Sequence, residues 1–253
     1  MIQRPGNIPG YPPAGMTGRT RRPVYPTTGD EFTAYTGITL TSLYLFNEAS
    51  GNLIDQVGAN DLTVANDPTF AYASENRRGV NYDELDDAHR ADVCGLGSGS
   101  GMYGTVFRSI ADLGSNHVIG RLNSPITESC DIDIPTGTNN LRAVIRDDAS
   151  GSVLPTISTV SARARTYLAI IQIDRANTTA RLGMYWPGGY VEATASIAGF
   201  GSLDGASQTF GFGQDGAAAR QGGCANFLGF VATGAQCEGA STPLSIARGL
   251  GWA

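Results

Sequence analysis

Tyr167-Leu-Ala-Ile-Ile-Gln-Ile-Asp174, then Arg175-Ala-Asn-Thr178, then Ala180-Arg-Leu-Gly-Met-Tyr-Trp186, closed by Pro187-Gly-Gly189, is the stretch that decides the fold. A β-rich apolar run, four turn-type residues, a second apolar run and a Pro-Gly break predict a β-hairpin. Downstream, Gln208-Thr-Phe-Gly-Phe-Gly213 alternates large and small residues, as a half-buried strand does.

The same reading extends outward. Leu40-Thr-Ser-Leu-Tyr-Leu-Phe46 predicts a strand, Asn47 to Asn52 a polar turn, and Leu53 to Thr63 a loop into a second strand. Thr105 to Ile110, His117 to Ile119 and Asn226 to Val231 read as further strands. Leu141-Arg-Ala-Val-Ile-Arg146 alternates, with Leu141, Ala143 and Ile145 on one face. Ser241 to Arg248 predicts a short helix with Pro243 in its first turn. No long stretch carries helical apolar spacing, so the expected class is all-β, an antiparallel β-sandwich. The 253 residues, 41% hydrophobic, suffice for one such core.

Residues 1–30 differ from the rest. Pro5, Pro9, Pro12, Pro13, Pro23 and Pro26 alternate with Gly6, Gly10, Gly15 and Gly18. Proline and glycine at this density favour extended, polyproline-like backbone over any ladder or helix. The predicted organisation is an extended basic arm over 1–30 and a sandwich domain over 31–253. The arm carries Arg4, Arg19, Arg21 and Arg22 and no acid up to residue 29. A segment without a core of its own stays in place only when something holds it. Residues 1–30 therefore read either as a disordered tail or as an arm that packs on its own domain or on neighbouring chains, through those arginines together with Tyr11 and Tyr25. Fully extended, ~28 residues at ~3.3 Å each reach ~90 Å.

Charge and composition exclude several functions. All 17 basic residues are arginine, so lysine-dependent chemistry (a Walker-type phosphate loop, a Schiff base) is absent. The net charge is −6, and without the four arm arginines 13 Arg face 23 acids. That disfavours nucleic acid as a partner of the domain. The amino terminus lacks the apolar core of a secretory signal, and no run approaches the ~18 apolar residues of a membrane span, so no membrane insertion is expected. The four cysteines, Cys94, Cys130, Cys224 and Cys237, form no C-x-x-C pair and read as buried thiols. A Cys224–Cys237 bridge is the alternative in an oxidising place.

The segment Leu43 to Val64, LYLFNEASGNLIDQVGANDLTV, resembles the opening of laminin-G-like, concanavalin A-like jelly-roll domains. Such domains often begin with an aromatic strand, an E-x-S-G turn, D-x-x-G-x-N-D and a short strand. Tyr167 to Trp186 is similar to their later hairpin, although Met184-Tyr-Trp-Pro-Gly-Gly189 stands where many members read Y-V-D-G. A role tied to that missing Asp is not carried over. The resemblance spans residues 38–250 and implies a concanavalin A-like jelly roll preceded by the Pro/Gly arm.

Two G-x-G-x-x-G matches, at Gly99 and Gly211, lack the strand–helix setting of a dinucleotide site. G-x-S-x-G is absent, and His89 and His117 lie far apart. Glucanases of the jelly-roll class carry E-x-D-x-E on one strand; here Glu128, Asp131 and Asp133 have the wrong spacing, since Glu128 falls on the other face. No catalytic constellation and no cofactor is expected. Asp83, Glu84, Asp86 and Asp87 form an oxygen-rich loop of the kind calcium uses, or else a solvated face. Tyr185, Trp186 and Tyr190 flank the Pro-Gly-Gly turn as a possible sugar-stacking platform, or cap the core. Together these point to a non-enzymatic bacteriophage virion protein, a capsid decoration, spike or tail component. It would be anchored by its arm to other virion proteins within a larger oligomer, with the sandwich projecting outward. The alternative is a carbohydrate-binding adhesin or module for host-surface glycans.

Overall fold

The computed structural model describes residues 22–65, 68–74, 77–82, 88–91, 95–109, 116–122, 129–135, 138, 140–158, 165–203, 209–213 and 224–253. Helix α1 spans Gly29–Thr36. The first strands are β1 (Ser42–Tyr44), β2 (Thr63–Ala65), β3 (Thr69–Ser74), β4 (Arg77–Tyr82) and β5 (Ala88–Ala91). There follow β6 (Gly101–Ser109), β7 (Asn116–Leu122), β8 (Ser129–Ile134), β9 (Leu141–Arg146), β10 (Ser152–Val153) and β11 (Thr156–Ile157). The last are β12 (Thr166–Asp174), β13 (Thr179–Trp186), β14 (Gly189–Ser196), β15 (Thr209–Gly213) and β16 (Cys224–Thr233), then α2 (Thr242–Gly249).

Two antiparallel sheets stack as a sandwich. The first runs β14-β13-β12-β6-β16-β4-β3, with β1 also on β16. The second runs β10-β9-β8-β7-β15-β5-β2, with β11 also on β9. This is the expected all-β jelly roll. The predicted hairpin is β12–β13, paired from Leu168↔Tyr185 to Asp174↔Thr179 around Arg175 to Thr178. The predicted closing helix is α2, with Pro243 in its first turn.

The main core lies between the sheets. Tyr167, Ala169, Ile171 and Ile173 of β12 enter it, as do Leu141, Ala143 and Ile145 of β9. A second core lies on the outer side of the first sheet. It takes Leu168 and Ile170 from β12, Met102 and Val106 from β6, and Phe230 from β16. Phe32 of α1, Ile246 and Ala247 of α2, and Trp252 cover them. This explains why residues 167–171 read as one continuous apolar run: the strand is buried on both faces.

Local chemistry places the covering layer. The Thr28 side chain accepts from the Glu31 backbone N–H at 3.1 Å, and Glu31 Oε2 accepts from Thr27 N at 2.8 Å, a reciprocal cap at the start of α1. Gly37, at φ +74°, ends the helix in the left-handed region that suits glycine. α2 then packs so closely that a Cβ on Gly249 would lie 2.3 Å from the Tyr35 carbonyl oxygen. The sequence carried no helical periodicity over 29–36, and residue 30 lies in the first turn of α1.

Candidate functional site

The turn at Pro187 and Gly188 sets the register of β13 on β14: Trp186↔Gly189, Tyr185↔Tyr190, Gly183↔Glu192. Tyr185 leans back over Gly183, where an added Cβ would meet its hydroxyl oxygen at 2.1 Å. Only a glycine lets the ring lie along its own strand. Its hydroxyl then reaches Glu192 and donates to Oε1 at 2.7 Å. Arg181 Nη1 donates to the second carboxylate oxygen at 3.2 Å. Burial, and then the Glu192 hydrogen bond, push the Tyr185 phenol above its ordinary range, so it remains a donor. The Tyr190 ring stacks on Tyr185, centroids 6.0 Å apart and planes 24° apart, and is 45% exposed. The result is an aromatic face on a buried base, bordered by an arginine–carboxylate pair.

Of the three aromatic candidates, the structure brings Tyr185 and Tyr190 together. Trp186 faces the opposite side of the hairpin, where it packs on the main core and meets Tyr167 edge-on at 6.1 Å. Tyr185 is buried, so Tyr190 is the ring that a ligand can touch. Glu192 and Arg181 were not singled out from the sequence. Counting back from the two-residue turn pairs Glu192 with Gly183, so the signal was present.

The carboxylates of the second sheet are differently engaged. Asp131 and Asp133 share a face of β8 and are fully buried. Arg142 grips Asp133 in a fork, Nε to Oδ1 at 2.9 Å and Nη2 to Oδ2 at 2.5 Å. The Asp133 hydrogen bond raises the pKa of the Arg142 guanidinium further. Glu128 lies outside the described residues, as do the calcium candidates Asp83, Glu84, Asp86 and Asp87.

His89 is a core residue. Its Nε2–H donates to the Gly51 carbonyl at 2.8 Å, and Nδ1 accepts from the Tyr82 hydroxyl at 2.8 Å. Burial pushes its pKa down to about 4. Cys224 and Cys237 are buried free thiols, so the Cys224–Cys237 bridge is not formed. Cys130 is buried too, and Cys94 lies outside the described residues.

Of the arm candidates, Arg4, Tyr11, Arg19 and Arg21 lie outside the described residues, and Arg22 is exposed. Tyr25 rests on its own domain. It meets Trp252 edge-on at 5.8 Å, and the Arg77 guanidinium sits 4.3 Å over its ring. The Val24 N–H donates to the Leu250 carbonyl at 2.8 Å.

No protein-family model and no curated protein matches the sequence. Solved structures do share the fold. The botulinum neurotoxin serotype D ligand-binding domain, determined with N-acetylneuraminic acid, superposes with a TM-score of 0.62 at 10% identity, over 87% of this chain and 52% of that one. The CBM40 of the Ruminococcus gnavus IT-sialidase, bound to α2,3-sialyllactose, gives 0.51 at 12% identity, over 67% of this chain and 95% of that one. Full-length tailspike protein 2 of Escherichia coli O157:H7 bacteriophage CAB120 gives 0.53 at 10% identity, over 73% and 27%. The chain spans about half the length of the neurotoxin binding domains it matches. The fold is thus the β-sandwich that these solved structures share.

Proposed function

We propose that this chain is a non-catalytic carbohydrate-binding module that stacks a sugar ring on Tyr190. The observation that carries the reading is the exposed Tyr190 ring, fixed on buried Tyr185 and bordered by Glu192 and Arg181. A sugar presents C–H groups on its face and hydroxyls on its rim. A rigid aromatic face beside a charged donor–acceptor pair suits both. N-acetylneuraminic acid on the neurotoxin domain and α2,3-sialyllactose on the CBM40 support this class of ligand. The test is titration calorimetry of the full chain with α2,3-sialyllactose, followed by a glycan array. Tyr190→Ala should weaken binding about tenfold, worth about 1.4 kcal/mol, with the fold intact by circular dichroism. Equal binding by Tyr190→Ala, or no bound glycan for the wild type on the array, overturns the reading.

A second reading concerns where the module works. The likeness to a phage tailspike, and an arm whose only charges to residue 29 are arginines, favour a component of a virus particle. Arginine forks suit acidic surfaces on neighbouring subunits. Deleting residues 1–21, which leaves Val24, Tyr25 and the α1 cap in place, should then abolish incorporation into particles while sugar binding by the sandwich persists. Incorporation of the deleted form at wild-type levels would refute an anchoring arm.

A further inference from the structure

The two sheets end at β14 and β3, and at β10 with β11 and at β2. β2 has 3 residues and β10 and β11 have 2 each, too short to template a new strand. β3 is interrupted by a register shift between Thr69 and Tyr72. β14 has none of these protections. It pairs with β13 without a break from Trp186↔Gly189 to Thr179↔Ser196. It contains no proline, lysine or arginine, and its one charge, Glu192, is held by Tyr185 and Arg181. Tyr190 is 45% and Val191 36% exposed, and Thr194 and Ser196 are also exposed. Among the described residues no strand pairs with its outer side, and a long, regular edge of this kind is a template for another strand.

We propose that β14 pairs antiparallel with β14 of a second copy, about a two-fold axis at Ala193. Residues directly opposed across an antiparallel pair turn their backbone polar groups both toward the partner or both away. For two copies of one strand, the two-fold axis therefore passes through a residue position. Axes at Glu192 and at Ala193 use the most of β14. The Glu192 axis sets two carboxylates face to face, which is unfavourable. The Ala193 axis sets Glu192 against Thr194, Tyr190 against Ser196 and Val191 against Ala195. Each larger residue of one copy meets a small one of the other. An isologous pair of this kind consumes both open edges and closes, which favours a second copy over an unrelated strand. The two Tyr190 rings then lie on the same face, about 20 Å apart along the strands, each beside a small Ser196 that leaves it open.

The experiment is sedimentation velocity of the full chain from micromolar to sub-millimolar concentration. The expected species has twice the 26.4 kDa chain mass. Thr194→Glu, on an exposed position, sets a carboxylate against Glu192 twice and should return the mass to one chain with circular dichroism unchanged. Under mild oxidation, Ala193→Cys should form a covalent dimer that the wild type does not. Val191→Cys should link to Ala195→Cys in a mixture and not to itself. A wild type that stays monomeric overturns the proposal. So does a dimer that Thr194→Glu leaves intact and Ala193→Cys does not lock.

Discussion

His89 makes the stability of the sandwich depend on pH in a calculable way. In the folded chain the imidazole is buried and neutral, tied to Gly51 and Tyr82, and its pKa falls to about 4 because burial penalises the charged form. Unfolded, the same group titrates near 6.5. Below that value the unfolded chain binds a proton that the folded chain refuses, so the stabilisation is complete above pH 6.5 and is lost as pH falls toward 4. A difference of roughly 2.5 units at about 1.36 kcal/mol each gives about 3 kcal/mol. His89→Gln keeps a donor and an acceptor but does not titrate, and subtracting its stability removes the contribution of the carboxylates. Urea unfolding of both proteins, followed by circular dichroism from pH 7.5 to pH 4, should show the wild-type excess stability shrinking by about 3 kcal/mol. A difference that stays flat across this range, or a native His89 titrating near 6.5 by NMR, would refute the reasoning.

Three further outcomes follow from the geometry. Gly183→Ala drives a methyl group into the Tyr185 hydroxyl and breaks its bond to Glu192; guanidinium unfolding should show a loss of about 2 kcal/mol, with weaker sugar binding alongside. Asp133→Asn removes the charge that Arg142 grips, and should cost about 3 kcal/mol in the same assay, whereas an effect near zero would mean the fork is solvated. Burial pushes the Cys224 thiol up to about 12, so a disulfide reagent should modify it only in denaturant; rapid native labelling would place it at the surface.

The fold was legible where a strand's chemistry was local. The β12–β13 hairpin follows from an apolar run, a turn and a Pro-Gly break, and Leu141, Ala143 and Ile145 lie in the main core as their alternation implies. α1 was not legible, because Gly29-Asp-Glu-Phe-Thr-Ala-Tyr-Thr36 buries a single residue, Phe32, and holds its shape by its caps and by α2. The second core was hidden for a related reason. It joins residues near 32, 106, 168, 230 and 252, and no local period encodes contacts over that separation. At the candidate site the aromatic residues were visible by type. Their division between two faces required the register of the turn, and the Tyr185–Glu192–Arg181 chain required the shape of Gly183.

The covering layer also restricts where the first sheet can meet other molecules. Phe32, Ile246, Leu250 and Trp252 seal its outer side over β6, β12 and β16. Among the described residues, large apolar side chains of this sheet emerge at the β13–β14 end, as Tyr190 and Val191. The root of the arm is elsewhere: Tyr25 sits under Arg77, the first residue of β4, and against Trp252. β4 and β14 are separated by β16, β6, β12 and β13, about 24 Å at the usual strand spacing. At that distance, changes at the two places are expected to act independently. The proposed anchoring by the arm and the proposed recognition or pairing at β14 would therefore not compete for surface. Under both proposals, a chain held at one end of the sheet would keep the other end free for ligand or for a second copy.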